Sequence, residues 1–276
     1  MDYQAHSEIP QRIKLAREAL ANCNLCPRKC GVDRTAGEKG YCGVDDTVRC
    51  FRDVLLCNEE SELVPSHQIY FAGCNIRCQF CAVAEWNEQP FAAKKIDFDA
   101  IVQKIALRRS EGAKTLNLLG GEPTVNLHGI LELLGRLDYQ IKVVWNSNMY
   151  YNEIVDKLTK GLIHVYLADF KCGNDNCAKK LLKADNYVDI VKQNILKALK
   201  HSDVIVRHLL LPGHLECCLR PILKWLASET PGVKLSFWGD YMPPAQLTAA
   251  PSEYLTEKDI QAAVNLSESM GLKLIK

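Results

Sequence analysis

Residues 68–81 read QIYFAGCNIRCQFC, a short apolar run followed at once by a glycine and three cysteines. Cys74, Cys78 and Cys81 have the spacing C-x3-C-x2-C. The apolar run has strand length and lacks the polar alternation of a strand with one wet face, so it predicts a strand buried on both sides. The three cysteines are therefore expected on one tight loop at the carboxyl end of that strand.

Three thiolates on such a loop can hold three corners of a [4Fe–4S] cluster. Electron-transfer clusters normally use four cysteines, so a set of three leaves one iron open to a small ligand. A structural zinc site is the alternative, but it would need a further ligand such as Cys57 or His67. Three buried structural cysteines are another alternative. The spacing favours the cluster and predicts Cys74, Cys78 and Cys81 as its ligands.

Downstream of this motif, apolar runs alternate with segments of helical periodicity. The apolar runs predict strands over 68–72, 115–119, 141–145, 164–168, 204–211 and 234–238, with a final short strand over 272–275. The segments between them predict helices over 97–111, 125–137, 151–158, 187–201, 216–229 and 256–270. Six strands alternating with six helices indicate an α/β fold with a parallel sheet.

Chain length selects among the parallel β/α folds. A closed (β/α)8 barrel typically needs about 250 residues. Of the 276 residues here, only about 210 follow the cysteine-rich N-terminal segment. We therefore predict a partial (β/α)6 TIM-like barrel over residues 61–276, with a doubly wound open sheet as the alternative. Residues 1–60 are predicted to form a separate, small N-terminal unit.

The N-terminal unit combines a helix with a cysteine-rich segment. Helical periodicity predicts a helix over 7–20, whereas residues 22–57 show none and are predicted to be loop-rich. Cys23, Cys26, Cys30 and Cys42 lie in this segment among several glycines. A loop-rich unit without a core of its own needs a staple. We therefore predict that these four cysteines bind structural zinc or a second iron–sulfur cluster.

Composition excludes several classes of protein. Hydrophobic residues make up 47% of the chain and charged residues 24%, which excludes a disordered protein. The 34 basic and 33 acidic residues give a formal net charge of +1, so no large basic field favours nucleic acid. No apolar run reaches membrane-spanning length, and the polar start is not typical of a secretory signal. We expect a cytoplasmic protein that binds neither nucleic acid nor membranes.

The sequence contains thirteen cysteines, an odd number and a large one for its length. Cysteines of a cytosolic protein are kept reduced, so metal binding or catalysis is favoured over disulfides. Nine of them lie between Cys23 and Cys81. The remaining four are expected to be ordinary thiols: Cys172, Cys177, Cys217 and Cys218.

The cysteine motif, with Phe80 before its last cysteine, resembles the C-x3-C-x-Φ-C signature of the radical S-adenosylmethionine (SAM) enzymes. The resemblance implies that the open iron chelates the amino and carboxylate groups of SAM. It also implies that the reduced cluster cleaves SAM to a 5′-deoxyadenosyl radical, which abstracts hydrogen from a substrate. Gly120-Gly121-Glu122-Pro123, after the second predicted strand, resembles the GGEP motif of this family. The glycines would admit a ligand close to the backbone, and Glu122 would accept hydrogen bonds from the SAM ammonium.

Later motifs resemble those of the pyruvate formate-lyase activating enzyme and its relatives. Asn146 lies in a turn after the third strand, where these relatives carry a turn containing Thr or Asn. Asp169-Phe170-Lys171 resembles their D-x-K motif, and Arg207 begins a segment like their R-x4-P-G. Because residues i and i+2 of a strand point the same way, Asp169 and Lys171 are both expected to face the barrel mouth. The resemblance implies SAM or substrate contacts for Asn146, Asp169, Lys171 and Arg207; a local turn and a solvated ion pair are the alternatives.

The N-terminal cysteines resemble an extension found in uncharacterised members of this branch. The best-known activating enzymes insert extra clusters directly after the C-x3-C-x2-C motif, whereas residues 82–96 contain no cysteine here. The branch implies hydrogen abstraction from a glycine of a partner glycyl radical enzyme, and an external electron donor of the flavodoxin or ferredoxin type. Modification of a small molecule, or of another peptide or protein, is the alternative. A non-catalytic zinc-binding scaffold is the alternative from a different class.

Overall fold

One nine-stranded sheet organises the computed structural model, which describes residues 3–138, 140–246 and 248–275. In chain order the strands are β1 Arg49–Leu56, β2 Ser66–Phe71, β3 Lys94–Lys95, β4 Thr115–Gly120, β5 Lys142–Ser147, β6 Val165–Asp169, β7 Asp203–Leu209, β8 Lys234–Trp238 and β9 Lys273–Leu274. Their order in the sheet is β3-β1-β2-β4-β5-β6-β7-β8-β9. From β2 across to β9 neighbouring strands are parallel, whereas β1 is antiparallel to both β2 and β3.

Helices connect the parallel strands. Those in the described ranges are α1 Tyr3–Ser7, α2 Ile9–Ala21, α3 Ala84–Glu88, α4 Phe98–Ser110, α5 Leu127–Gly135, α6 Glu153–Thr159, α7 Asp175–Leu182, α8 Tyr187–Ala198, α9 Arg220–Glu229 and α10 Glu257–Ser269. The six predicted strands are present as β2 and β4 to β8, so the partial (β/α)6 barrel is confirmed. Within the described residues, no helix combines the length and the apolar character needed to cross a membrane.

Side chains along the parallel strands alternate between two apolar cores. Those that face outwards belong to the main core beneath the helices, which includes Phe71, Leu118, Trp145 and Val206. Those that face inwards form a smaller core inside the barrel, made of Leu63, Val144, Val165, Leu167 and Ile205. Because residues i and i+2 of a strand share a face, the inward positions that follow this core at the carboxyl ends open into the barrel mouth.

Strand β1 corrects the prediction of a loop-rich segment over 22–57. Its sequence RCFRDVLL mixes Arg49, Arg52 and Asp53 with apolar residues, and none of its residues is fully buried. With these charges the sequence lacks the two-residue alternation of apolar and polar residues that would predict a strand. Pairing with β2 defines the strand instead, with Cys50 opposite Phe71. The barrel sheet therefore extends across residue 60 into the N-terminal unit.

Helix α7 is a second difference from the sequence-based expectation. Its eight residues lie between β6 and α8, where no helix was predicted. The Asn174 side chain caps it by accepting a hydrogen bond from the N–H of Cys177 at 2.8 Å. The helix predicted over 216–229 begins instead as a π-helical turn, Leu215–Leu219, which leads into α9. Helix α7 lies against residues 77–79, because the carbonyl oxygens of Leu181 and Leu182 accept hydrogen bonds from the N–H groups of Gln79 and Arg77.

The N-terminal helix α2 packs against the barrel helices. A Cβ on Gly135 of α5 would come within 2.9 Å of the Ile9 side chain, so the two helices lie in close contact. Arg12 donates to the carbonyl oxygens of Leu158 and Lys160, at 3.1 and 2.6 Å. A cation at the carboxyl end of α6 is favourable because that end of a helix is electronegative. The helix predicted over 7–20 is thus present, anchored on α5 and α6.

Candidate active site

The three cysteines of the C-x3-C-x2-C motif lie on the loop after β2, here called the cysteine loop (residues 74–81). Cys74 is buried, and Cys78 and Cys81 are half-buried. All three line a cavity of about 590 Å³ at the barrel mouth. Gly73, which precedes the loop, has a φ of +89°, and a Cβ there would come within 2.6 Å of Val44. This turn needs glycine because a side chain would meet both strain and a clash.

Arg77 fixes the cysteine loop from two sides. Its Nη1 donates to the carbonyl oxygen of Cys74 at 2.6 Å, and its Nη2 donates to that of Tyr41 at 2.6 Å. Its backbone N–H donates to the carbonyl oxygen of Leu182, at the end of α7, at 2.8 Å. These three hydrogen bonds hold the cysteine loop in its conformation.

The sulfur atoms lie in a buried setting with amide donors. Burial raises the pKa of Cys74 well above its usual range and that of Cys78 to about 12. Nδ2 of Asn148 donates to Sγ of Cys74 at 3.8 Å, and Nδ2 of Asn87 donates to Sγ of Cys81 at 3.4 Å. Thiols in such a site ionise when a cationic metal centre compensates their charge. Asn148 belongs to the turn after the third predicted strand, whereas Asn87 is a functional candidate that the sequence did not reveal.

The spacing of the three sulfur atoms fits a cluster better than a single ion. Thiolates around one tetrahedral ion lie about 3.8 Å apart, since metal–sulfur bonds are about 2.3 Å long. The sulfur atoms of Cys74, Cys78 and Cys81, all within the described ranges, do not all lie within 4.8 Å of one another. Each cysteine of a [4Fe–4S] cluster binds a different iron, so its ligands stand further apart. The donor set therefore suits a [4Fe–4S] cluster.

Two glycines bring the next motif against the cysteine loop. A Cβ on Gly121 would come within 2.1 Å of the carbonyl oxygen of Gly73, and Gly120 has a φ of +127°. Pro123 then begins the 3-10 turn Pro123–Asn126. Glycine is needed at both positions for the backbone of this turn to reach the cavity.

Glu122 is buried, and its carboxylate is held by neighbouring donors. Oε1 accepts bonds from the hydroxyls of Thr124 and Ser147, both at 2.7 Å, and Oε2 accepts one from the N–H of Asn148 at 2.9 Å. Burial raises the pKa of Glu122, although these bonds act in the opposite direction. A carboxylate has about four acceptor positions, two on each oxygen. Oε2 therefore has capacity for one further donor in the cavity.

Four side chains from β5 to β7 form one polar group, the Arg207 network (Asn146, Asp169, Lys171 and Arg207). Nε of Arg207 donates to Oδ1 of Asp169 at 2.6 Å, and its Nη2 donates to Oδ1 of Asn146 at 2.8 Å. Nζ of Lys171 donates to Oδ2 of Asp169 at 2.8 Å. Glu60 lies 3.8 Å from Nη1 of Arg207. The structure thus brings together four residues that three separate motifs had indicated, all lining the same cavity.

The Arg207 network is charged. Burial alone would raise the pKa of Asp169, but the charges of Arg207 and Lys171 hold it well below its usual range. Asp169 in turn raises the pKa values of Lys171 and Arg207 against the effect of burial. Nδ2 of Asn146 is buried and has no hydrogen-bond partner among the described residues. The cavity therefore offers two cations, one shared carboxylate and an amide donor that is open to a ligand.

Aromatic side chains border the cavity. The ring of Phe80 is 6.4 Å from that of Tyr241, centroid to centroid, in an edge arrangement. The guanidinium of Arg207 is 5.3 Å from the ring centroid of Trp238. Such rings can contact a flat, polarisable base on one side while the other side stays packed.

The four N-terminal cysteines lie together next to the cysteine loop. Cys23, Cys26 and Cys42 are buried and Cys30 is half-buried. The pKa of Cys26 is raised to about 12, mainly by burial, and the charges of the other three cysteines act in the same direction. Among the described residues, no three of these four sulfur atoms all lie within 4.8 Å of one another. They are therefore spaced more widely than four ligands around one ion. Tyr41, which precedes Cys42, bonds to the cysteine loop at 2.6 Å.

Comparison with known proteins identifies the family. Residues 69–226, more than half of the chain, match the sequence profile of the Radical SAM superfamily. The chain belongs to this superfamily. An uncharacterized protein of Methanocaldococcus jannaschii is 35% identical to the radical SAM protein described here over 284 residues, which cover 100% of this chain and 82% of that protein. Radical SAM proteins use a [4Fe–4S] cluster and SAM, so these are the cofactors of this protein.

Solved structures of radical SAM proteins share the fold. SuiB of Streptococcus suis, in its structure bound to SAM, superposes with a TM-score of 0.52 at 12% identity, covering 73% of this chain and 47% of SuiB. A radical SAM methyltransferase of Sphaerobacter thermophilus gives a TM-score of 0.54 at 12% identity, covering 83% of this chain and 76% of that one. The chain thus spans about half the length of SuiB. These likenesses establish the radical SAM fold and do not single out the activating-enzyme branch.

Proposed function

We propose that this radical SAM protein is an oxidoreductase that holds its [4Fe–4S] cluster on Cys74, Cys78 and Cys81 and binds SAM in the adjoining cavity. The observation that carries this proposal is that the three cysteines, Glu122 and Arg207 all line one cavity at the carboxyl ends of parallel strands. Enzymes of the β/α barrel type carry out their chemistry at this end. The cluster, when bound, supplies the electron that cleaves SAM to a 5′-deoxyadenosyl radical, which abstracts hydrogen from the substrate.

The free hydrogen-bonding positions in the cavity suit SAM. Oε2 of Glu122 accepts a bond from the SAM ammonium at the position that Asn148 leaves open. Nδ2 of Asn146, which has no partner among the described residues, donates to an oxygen of SAM. The backbone at Gly121 approaches the ligand without a side chain in the way, and Phe80 borders the bound ligand.

Lys171 and Arg207 give the cavity its attraction for anions. Asp169 holds both cations through direct hydrogen bonds, and so sets their positions before a ligand arrives. Positioned cations bind a carboxylate with little reorganisation. We propose that they contact the SAM carboxylate or an anionic part of the substrate.

For the substrate, we propose a glycine of a partner glycyl radical enzyme, as in the activating-enzyme-like branch. The D-x-K and R-x4-P-G motifs support this, since their charged residues line the cavity. Its volume of about 590 Å³ is typical of a small-molecule site, and Met242 on its rim is 75% exposed, which leaves a protein segment room to enter. Modification of a small molecule, or of another peptide or protein, is the second candidate. The position of the extra cysteines, before rather than after the motif, favours it.

We also propose that residues 1–60 are a metal-binding extension of the radical SAM core at residues 61–276. The wide spacing of Cys23, Cys26, Cys30 and Cys42 supports a second iron–sulfur cluster over a single zinc ion. An external donor of the flavodoxin or ferredoxin type would reduce the protein in the cytoplasm.

The test is SAM cleavage by anaerobically reconstituted protein. With SAM and dithionite, the wild type should produce 5′-deoxyadenosine, and Cys78→Ala should reduce the yield at least 100-fold because one iron loses its ligand. Cys50→Ala is the matched control, since Cys50 is half-buried in β1, its thiol bonds to the carbonyl oxygen of Arg52, and it is not one of the residues that line the cavity. Its yield should equal that of the wild type.

Two outcomes would contradict the assignment. Undiminished 5′-deoxyadenosine from Cys78→Ala would remove this cysteine from the cluster. A protein that binds zinc but no iron after reconstitution would be a scaffold and not a radical enzyme. A glycyl radical signal, sought by electron paramagnetic resonance on candidate partners mixed with active enzyme, then separates the two substrate classes.

A further inference from the structure

A group of three cysteines and a histidine lies on the α7 side of the barrel mouth, where ordinary thiols were expected. Cys177 is in the first turn of α7, whereas Cys217 and Cys218 lie on the π-helical turn after β7 and His214 directly precedes that turn. Their ligand atoms are all within 4.8 Å of one another. The fold brings together side chains that are almost 40 residues apart in sequence.

The separations within this group match those around one tetrahedral ion. Nδ1 of His214 is 3.3 Å from Sγ of Cys217, 3.6 Å from that of Cys218 and 3.7 Å from that of Cys177. Sγ of Cys217 is 3.8 Å from that of Cys177 and 4.0 Å from that of Cys218. A tetrahedral zinc ion with bonds of about 2.3 Å to sulfur and about 2.0 Å to nitrogen places its sulfurs about 3.8 Å apart and its nitrogen about 3.5 Å from each sulfur.

Other states of these thiols fit the geometry less well. The sulfur–sulfur separations of 3.8 and 4.0 Å are far longer than a disulfide bond of about 2.05 Å. They are also too short for ligands of a [4Fe–4S] cluster, each of which binds its own iron. One ion with three sulfur ligands and one nitrogen ligand accounts for all of the distances.

Neighbouring groups orient the ligands. Asn174 accepts a bond from the N–H of Cys177 at 2.8 Å, and its Nδ2 donates to the carbonyl oxygen of Cys217 at 2.6 Å and to Sγ of Cys218 at 3.8 Å. Gly173 permits the close approach, because a Cβ there would come within 2.1 Å of the carbonyl oxygen of Cys218. Such outer contacts are typical of metal sites, where they fix the ligand geometry. Cys218 is buried while Cys217 is exposed, so an ion can enter from solvent.

We propose that Cys177, His214, Cys217 and Cys218 bind one structural zinc ion. Four protein ligands complete a tetrahedral shell and leave no open position for chemistry. The ion would join the segment after β6 to the turn after β7. Lys171 follows β6 and Arg207 lies on β7, so zinc would fix the connections that leave the two strands carrying most of the Arg207 network. This site is separate from the cluster and from SAM, and its test does not depend on the proposed function.

Metal analysis of anaerobically purified protein tests the site. Protein expressed with zinc in the medium should contain about one zinc per chain in addition to its iron. Cys217→Ser should lose at least 80% of the zinc and keep its iron, because Cys217 is exposed and its sulfur contacts Cys177, His214 and Cys218, which are not ligands of the cluster. Cys57→Ser, which changes another exposed cysteine, should retain the zinc. Circular dichroism checks that each variant is folded.

Cobalt substitution gives a second readout. Apoprotein loaded with Co²⁺ should show the strong visible bands of a tetrahedral thiolate site, and these bands should be lost in Cys217→Ser and weakened in His214→Ala. Less than 0.2 zinc per chain in the wild type would overturn the proposal. Equal zinc in the wild type and in Cys217→Ser would overturn it too, since the metal would then lie elsewhere. Two missing thiols in the wild type, counted after denaturation, would show a disulfide and have the same consequence.

Discussion

At the scale of single residues, Asp169 decides whether the barrel mouth can hold two buried cations. Both of its oxygens are engaged, one by Arg207 at 2.6 Å and one by Lys171 at 2.8 Å. Removal of one partner from a buried ion pair leaves an uncompensated charge, which costs far more than loss of an exposed pair. Asp169 is therefore expected to matter for stability as well as for ligand binding.

Asp169→Asn should lower the free energy of unfolding by about 3 kcal/mol at pH 7. The pKa of Asp169 is depressed in the folded protein, so its contribution is complete above the unfolded pKa of about 3.9 and declines only as pH falls below that value. The difference between wild type and variant should thus be equal at pH 7 and pH 5 in denaturant titrations. Glu153→Gln, which removes an exposed partner of Lys157, is the control and should have no measurable effect. A difference that shrinks between pH 7 and pH 5 would contradict the ion-pair assignment.

At the scale of elements, helix α5 joins the barrel to the N-terminal unit through His128. The ring is buried, and Nε2 lies 2.7 Å from the carbonyl oxygen of Asp46, so this nitrogen carries the proton and donates it. Burial lowers the pKa of His128 to about 4. The folded protein therefore keeps the ring neutral at pH values where the unfolded chain binds a proton.

Because the pKa of His128 is lower in the folded than in the unfolded protein, acidic pH destabilises the fold. Stability from the neutral His128 is complete above the unfolded pKa of about 6.5 and is lost as pH falls from there towards 4. Between pH 7 and pH 5 the loss should be about 2 kcal/mol. His128→Gln keeps a donor without a titrating ring, so in denaturant titrations its stability should fall by about 2 kcal/mol less over this interval. Equal pH dependence of the two proteins would rule out His128 as the titrating group.

Elements also show how far the sequence alone can predict this structure. Strands β4 to β8 are buried on both faces, so their apolar runs are evident in the sequence. Strand β1 was missed because pairing with β2, rather than its own pattern, defines it. The cavity residues could be anticipated because the carboxyl ends of parallel strands meet at one edge. Asn87 and the metal-ligand group that includes Cys177 and His214 could not be anticipated, because only the folded chain brings them to their partners. The spacing H-x2-C-C over residues 214–218 was the single local indication of that group.

At the scale of the whole molecule, the N-terminal unit is built into the barrel. Nε of Arg28 donates to the carbonyl oxygen of Asn75 in the cysteine loop at 2.9 Å, and its guanidinium lies 3.8 Å from the ring centroid of Tyr41. Arg34 is fully buried and donates to the carbonyl oxygen of Val125 at 2.8 Å. A metal centre on the N-terminal cysteines would therefore brace the cysteine loop that holds the catalytic cluster.

Cys26→Ala tests this arrangement, because Cys26 is buried among the other three N-terminal cysteines. If they hold a [4Fe–4S] cluster, the variant should contain about four irons where the wild type contains about eight. Its zinc should be unchanged, since the proposed zinc ligands lie on α7 and on the turn after β7. Its 5′-deoxyadenosine yield should fall only in part. The cysteine loop keeps its three ligands and the Arg77 bonds to Cys74 and α7, but it loses rigidity on the side of Tyr41.

Two results would contradict this arrangement. Loss of zinc with iron unchanged would place a zinc ion in the N-terminal unit. Complete loss of product with all iron retained would show that Cys26 acts on the chemistry itself.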